Sequence, residues 1–172
     1  GGAITSETKQ IWHFSEIGTD EETKRLMPGF EIQYVITDET TQDNDQSVFG
    51  HCVFPPRSQH FPHKHTVAAE VVYVIKGRVV NGSVGENGEM VEQECGSGTA
   101  CFVKQGQIHW TRNPYDEPCE FVFAYYGTPS LHKSGYVDHK DDIPVENLMV
   151  SGTAKLDHVV DKSLLWADLY QE

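Results

Sequence analysis

Arg57-Ser-Gln-His-Phe-Pro-His-Lys-His-Thr-Val-Ala-Ala-Glu-Val-Val-Tyr-Val-Ile-Lys-Gly77 is the stretch from which the rest of the chain can be read. His63 and His65 lie two residues apart, and side chains on an extended backbone alternate between faces, so both imidazoles leave the same face of one strand. Such a pair is a chelate. Glu70 opens the next apolar run, Val71 to Ile75, and the link Thr66 to Ala69 is short enough to return its carboxylate to the two histidines. A third imidazole is expected downstream. His109 supplies it, in Gly98-Thr-Ala-Cys-Phe-Val-Lys-Gln-Gly-Gln-Ile-His-Trp-Thr-Arg-Asn113.

On either side of this stretch the chain reads as short strands separated by breaks. Glu31 to Ile36 and Ser47 to Phe54 have strand character, with the acidic, amide-rich segment Thr37 to Gln46 between them as a solvated loop and Pro55-Pro56 as a stop. Beyond Gly77, Glu86-Asn87-Gly88 signals a tight hairpin, because glycine and asparagine tolerate positive φ. Met90 to Glu94, Thr99 to Val103, Ile108 to Thr111 and Glu120 to Tyr126 follow as further strands. Many short strands at this spacing predict an antiparallel sandwich or barrel. Upstream, Asp20 to Met27 suits one or two helical turns closed by Pro28-Gly29. Downstream, Leu131 to Asp142 shows no strand period, and Ser163 to Tyr170 has helical apolar spacing.

Composition narrows the function. A chain of 172 residues with 38% hydrophobic content can bury one core without staples. Its 26 carboxylates against 13 Lys plus Arg give a formal charge of −13, which argues against nucleic acid and anionic membranes as partners. Cys52, Cys95, Cys101 and Cys119 form no C-x-x-C pair, so reduced thiols and a cytoplasmic location are the simpler reading. No run is apolar enough for a membrane-spanning helix, and no signal-peptide pattern opens the chain.

The residues resemble the cupin family. His63-x-His65-x4-Glu70-x6-Gly77 fits the family's first motif, and Gly98-x5-Lys104-x-Gly106-x2-His109-x3-Asn113 fits its second except at one position. Arg57 stands where the first motif begins with glycine, and Lys104 stands where the second has proline. Neither position is a ligand in the family. The resemblance implies an all-β fold, a small antiparallel β-barrel of the double-stranded β-helix or jelly-roll type, over residues 30–127. It leaves an N-terminal arm at 1–29 and, at 128–172, an extension with a short helical tail that packs on the barrel or on a partner subunit. A homodimer is also what the resemblance implies.

The expected metal ligands are His63, His65, Glu70 and His109. Imidazoles with one carboxylate suit one divalent transition metal per chain, with zinc, nickel, manganese and copper admissible beside iron, the first choice. A closed structural zinc site would be richer in cysteine. Four donors on a six-coordinate ion leave two positions for a small chelating substrate, or for substrate and dioxygen. Three classes of function follow: an iron-dependent dioxygenase cleaving a carbon–carbon bond next to a carbonyl or enol, a Lewis-acid isomerase, lyase or cyclase, and a non-catalytic binding barrel. The first is the leading expectation. His60 and His51 are the candidate catalytic residues, His60 as a base beside the ligand run and His51 as a residue that either enters the barrel or is a satisfied core residue. Val72, Val74, Thr111 and Asn113 share faces with ligands, the two valines as ordinary barrel filling. One of Tyr125 and Tyr126 must face inward, Trp110 must point away from the metal side, and Lys104 is either a surface residue or a contact for an anionic substrate.

Overall fold

The computed structural model describes residues 9–19 and 21–142. The expected helix at 163–170 lies outside the described residues. Two antiparallel five-stranded sheets face each other. The first runs in the order β1 (Glu31–Ile36), β2 (Ser47–Phe54), β9 (Cys119–Tyr126), β4 (Ala69–Lys76), β7 (Ala100–Val103). The second runs β10 (Tyr136–Asp138), β3 (Ser58–His65), β8 (His109–Asn113), β5 (Arg78–Val84), β6 (Met90–Gly96). The all-β expectation is met, and the first two strands fall on the residues read from sequence.

Alternation explains how these sequences build a wall. Along β9, Cys119, Phe121, Phe123 and Tyr125 are buried while Tyr126 is exposed, so the apolar set faces the other sheet. Val72 and Val74 do the same on β4, and Phe30, Ile32, Phe54 and Val79 complete the core between the layers. Turn chemistry fixes the register. Gly77 ends β4 at φ 82°, and a Cβ there would lie 2.4 Å from the Pro118 carbonyl oxygen, so only glycine makes that corner without displacing backbone. Asn113 secures the neighbouring turn, donating to the carbonyls of Pro55 at 3.0 Å and Glu117 at 2.8 Å.

The two departures from the motif now have physical content. Arg57 adopts φ 54°, a left-handed conformation that suits the glycine found there in the motif, and its Nε donates to Asp116 Oδ1 at 2.8 Å. Lys104 points outward, 3.4 Å from Glu86, and its backbone N–H, which proline would lack, donates to Gln107 Oε1 at 3.3 Å. It is a surface residue.

Two segments outside residues 30–127 belong to the barrel. Helix α1 (Glu21–Leu26) leads into Met27, which is 1% exposed and packs in the main core, so the arm closes one end of the barrel. After Gly127 the chain returns as β10 and pairs with β3, Tyr136 opposite His65 and Asp138 opposite His63. Leu131 to Asp142 therefore contains a strand that sequence periodicity does not show, because an edge strand of three residues is held by its partner's backbone rather than by an apolar face. Among the described residues no helix is long and apolar enough to cross a membrane.

Candidate metal centre

The four expected ligands arrive from both sheets. His63 and His65 leave β3, His109 leaves its neighbour β8 directly opposite His63, and Glu70 reaches across from β4. One ligand atom from each lies within 4.8 Å of every other. All three histidines are buried. Glu70 Oε2 sits 3.0 Å from His109 Nε2 and 3.5 Å from His65 Nε2.

The far side of each ring decides what the near side can do. His63 Nδ1 lies 2.8 Å from the Phe61 carbonyl oxygen and His109 Nδ1 lies 2.9 Å from that of Gln107. A carbonyl can only accept, so both Nδ1 atoms carry the proton. His65 Nδ1 is 2.9 Å from Ser134 Oγ, and that hydroxyl already donates to the Leu131 carbonyl at 2.7 Å, so Ser134 accepts from His65 as well. With Nδ1 protonated on neutral rings, the three Nε2 atoms present lone pairs. A carboxylate packed against lone pairs is repulsive unless a cation or a proton lies among them. The donor set therefore fits a divalent metal, with hydrogen bonds behind each imidazole that fix its orientation.

Electrostatics point the same way. Burial pushes His63 well below the usual histidine range, helped by the positive charge its neighbours His109, His60 and His65 would carry, so it stays neutral and able to ligate. Burial alone would raise Glu70, but protons on the Nε2 atoms of His109 and His65, with the charge they would bring, hold the carboxyl well below its ordinary value; a cation bound among those atoms would take the place of those protons.

A cavity opens onto this cluster, and its lining divides in two. His60, His63, Glu70, His109 and Thr111 form the polar end. The rest is mostly apolar, from Met27 and Phe30 through Phe54, Val72 and Phe121 to Phe123, with Tyr34 and Tyr125 bordering the polar end. Among the described residues no lysine or arginine lines it. Tyr125 is the inward member of its pair, its ring 4.9 Å from that of His65, and Tyr126 faces solvent. Trp110 points away from the cluster and packs with Val84 and Ile108, as parity on β8 requires.

The two candidate catalytic histidines separate. His60 lies in β3, three residues from His63, a spacing that would put them on opposite faces of a regular strand. Between them the register slips: His60 opposes Thr111 and His63 opposes His109, so β3 carries one residue more than β8. This bulge at Phe61-Pro62 turns both imidazoles into the cavity, with ring centroids 4.3 Å apart. Burial lowers His60 to about 4. His51 does not reach the cavity. It shares the outer face of β2 with exposed Phe49, stacks on Phe14 of the N-terminal arm at 4.2 Å, and lies 3.0 Å from Gln33 Oε1 and 3.2 Å from Glu120 Oε1. It is satisfied, but by strand parity on the outer face of β2 under the N-terminal arm, and so neither enters the barrel nor joins the core. Among the other residues sharing faces with ligands, Val72 and Thr111 line the cavity, whereas Val74 is core and Asn113 holds a turn.

Three contributors lay outside the sequence reading. Ser134 positions His65, Tyr136 stacks on His63 at 4.9 Å with the rings 10° from parallel, and Met27 closes the apolar end. Tyr136 stands on β10 and Ser134 in the turn just before it.

Comparison with known proteins agrees with this geometry. The family profile described as "Cupin domain" matches residues 50–125. A probable germin-like protein of Arabidopsis thaliana, subfamily 2 member 5, is 28% identical over 52% of this chain and 44% of its own length. A variant of Bacillus subtilis oxalate decarboxylase superposes with a TM-score of 0.64 at 19% identity, over 80% of this chain and 34% of that one. Another structure of the same decarboxylase, described with Mn(II) centres, gives 0.56 at 16% identity over 64% of this chain and 28% of that one. The chain spans less than half the length of each of these. With both motifs in register and the barrel in place, residues 50–125 carry a cupin domain and the two sheets have the cupin fold.

Proposed function

We propose that the protein is a metal-dependent enzyme in which His63, His65, Glu70 and His109 hold one divalent transition metal, and that it acts on a small, largely apolar molecule chelating through an enol and a neighbouring carbonyl. The observation that carries this reading is the two-part cavity, polar at the ligands and aromatic beyond them. A doubly charged acid such as oxalate would find no cationic side chain among the described residues of this lining. A planar, carbon-rich enol would bury its body against Phe54, Phe121 and Phe123 and place two oxygens at the ligand cluster.

The chain's residues then have defined tasks. The apolar wall orients the substrate and excludes water. Ser134 and the carbonyls of Phe61 and Gln107 hold the three Nε2 lone pairs on one point. His60, kept neutral by burial and packed beside His63, accepts the enol proton as the substrate enters, and Thr111 and Tyr125 line the same space. When bound, the metal supplies Lewis acidity and a redox couple. Oxidative cleavage by dioxygen of the carbon–carbon bond beside the enol is the reaction we favour, with iron the metal the four ligands would hold, because an enolate buried against aromatic walls is electron-rich and shielded from protonation by water.

The test is oxygen uptake. The iron-loaded protein, given aromatic 1,3-diketones and enolic hydroxyketones, should consume dioxygen in step with substrate loss. Turnover at an undiminished rate without oxygen would overturn the dioxygenase and leave Lewis-acid isomerase or lyase chemistry at the same site.

A further inference from the structure

We propose that Cys95 and Cys101 are an oxidative modification site, a dithiol that a hydroperoxide converts into a disulfide joining the two sheets. Their sulfurs lie 3.0 Å apart, and a disulfide forms at about 2.0 Å, so a shift of about 1 Å closes the bond. Cys95 stands on β6, the last strand of one sheet, and Cys101 on β7, the last strand of the other. They are joined by a short turn whose Gly98 N–H donates to the Val74 carbonyl at 2.9 Å and whose Ser97 hydroxyl donates to that of Ile75 at 2.7 Å. The thiols meet at the side of the barrel where the two sheets are not hydrogen-bonded to each other, so the bond would close that seam.

Access and chemistry are both present. A groove bordered by Ser83, Gln93 and Phe102 opens onto both sulfurs. Cys101 is only partly buried, and Asn81 Nδ2 donates to its sulfur at 2.6 Å, a contact that favours the thiolate. In the reaction the Cys101 thiolate attacks one peroxide oxygen, the O–O bond breaks, and the departing hydroxide leaves as water after taking a proton. The resulting sulfenic sulfur is attacked by Cys95, an S–S bond forms, and the second oxygen leaves as water. Two thiols are oxidised by two electrons and one hydroperoxide is reduced. Burial, together with the neighbouring Cys95, pushes the Cys101 thiol up to about 12, so the first step is slow at neutral pH and speeds up as pH rises. The pair is thus a slow staple, not a fast sensor. Asn81 also accepts from Thr111 Oγ1 at 2.7 Å, which places the pair one amide away from the cavity lining.

The test uses the reduced full chain treated with hydrogen peroxide, alkylated, digested with trypsin and weighed. No lysine or arginine lies between Arg78 and Lys104, so both cysteines fall in one peptide that contains no other thiol. That peptide should become lighter by two hydrogens and refuse alkylation, should regain its thiols with dithiothreitol, and the oxidised protein should melt at a higher temperature. The Cys52→Ser/Cys119→Ser double variant should behave the same, and Cys101→Ser should lose the change. Full alkylation of that peptide after peroxide treatment, or a dominant link from Cys95 to Cys119, would overturn the proposal.

Discussion

The two ends of the cavity are built from opposite materials, and the difference separates activation from selection. At one end, three imidazoles and a carboxylate are held by hydrogen bonds behind the rings, so their positions are fixed by directional contacts. At the other, Phe54, Phe121, Phe123 and Val72 are fixed only by packing. The polar end should therefore fail by losing metal while the barrel stands, and the apolar end should fail by losing the barrel's stability while folded molecules still bind metal.

The largest effect should come from His109→Ala. Metal affinity should drop by more than about a hundredfold, since even partners behind the ligands are worth about 10–100-fold. Circular dichroism should show the strands intact, and a variant that kept wild-type affinity would break the contrast between the two ends. Phe123→Ala should cost about 3–5 kcal/mol of stability in denaturant titration while the folded fraction still binds metal. His60→Ala should lower kcat about a hundredfold or more with metal content unchanged, as expected for loss of a positioned base. His51→Ala, on the outer face of the same barrel, should leave kcat within about a factor of two, because groups without substrate contact carry no such term. If the two histidine variants lost activity equally, the bulge would not have the role assigned to it.

Smaller effects probe the supports. Ser134→Ala should weaken metal binding about tenfold, at the low end for an outer partner, because His65 would lose the acceptor that fixes its proton on Nδ1. Arg57→Gly should stay within about 1 kcal/mol of the wild type. It relieves a left-handed residue, worth about 1–2 kcal/mol, but adds unfolded-state entropy and removes an ion pair whose aspartate is largely exposed.

Legibility in the sequence followed the same division. The ligands could be read because each occupies a fixed step of a strand, and the spacing of His63, His65 and Glu70 survives into the fold unchanged. His60 could not be placed, since the extra residue at Phe61-Pro62 reverses strand parity and leaves no mark in an apolar–polar pattern. For His51, alternation grouped it with Phe49 and Val53 but could not say which face was inside. The exposure of Phe49, at 44%, settles that. β10 is only three residues long, so the contribution of Tyr136, and of Ser134 in the turn before it, depended on pairing with a strand some seventy positions earlier in the chain. Met27 was visible as an apolar residue in the arm, yet nothing local says that the arm folds back over the cavity.

The four-residue centre is tested most directly by anomalous diffraction from crystals of the protein loaded with manganese or iron. One strong peak per chain is expected, bonded to the Nε2 atoms of His63, His65 and His109 and to a carboxylate oxygen of Glu70. A peak at any other place, or none in protein shown to carry metal, would contradict that assignment.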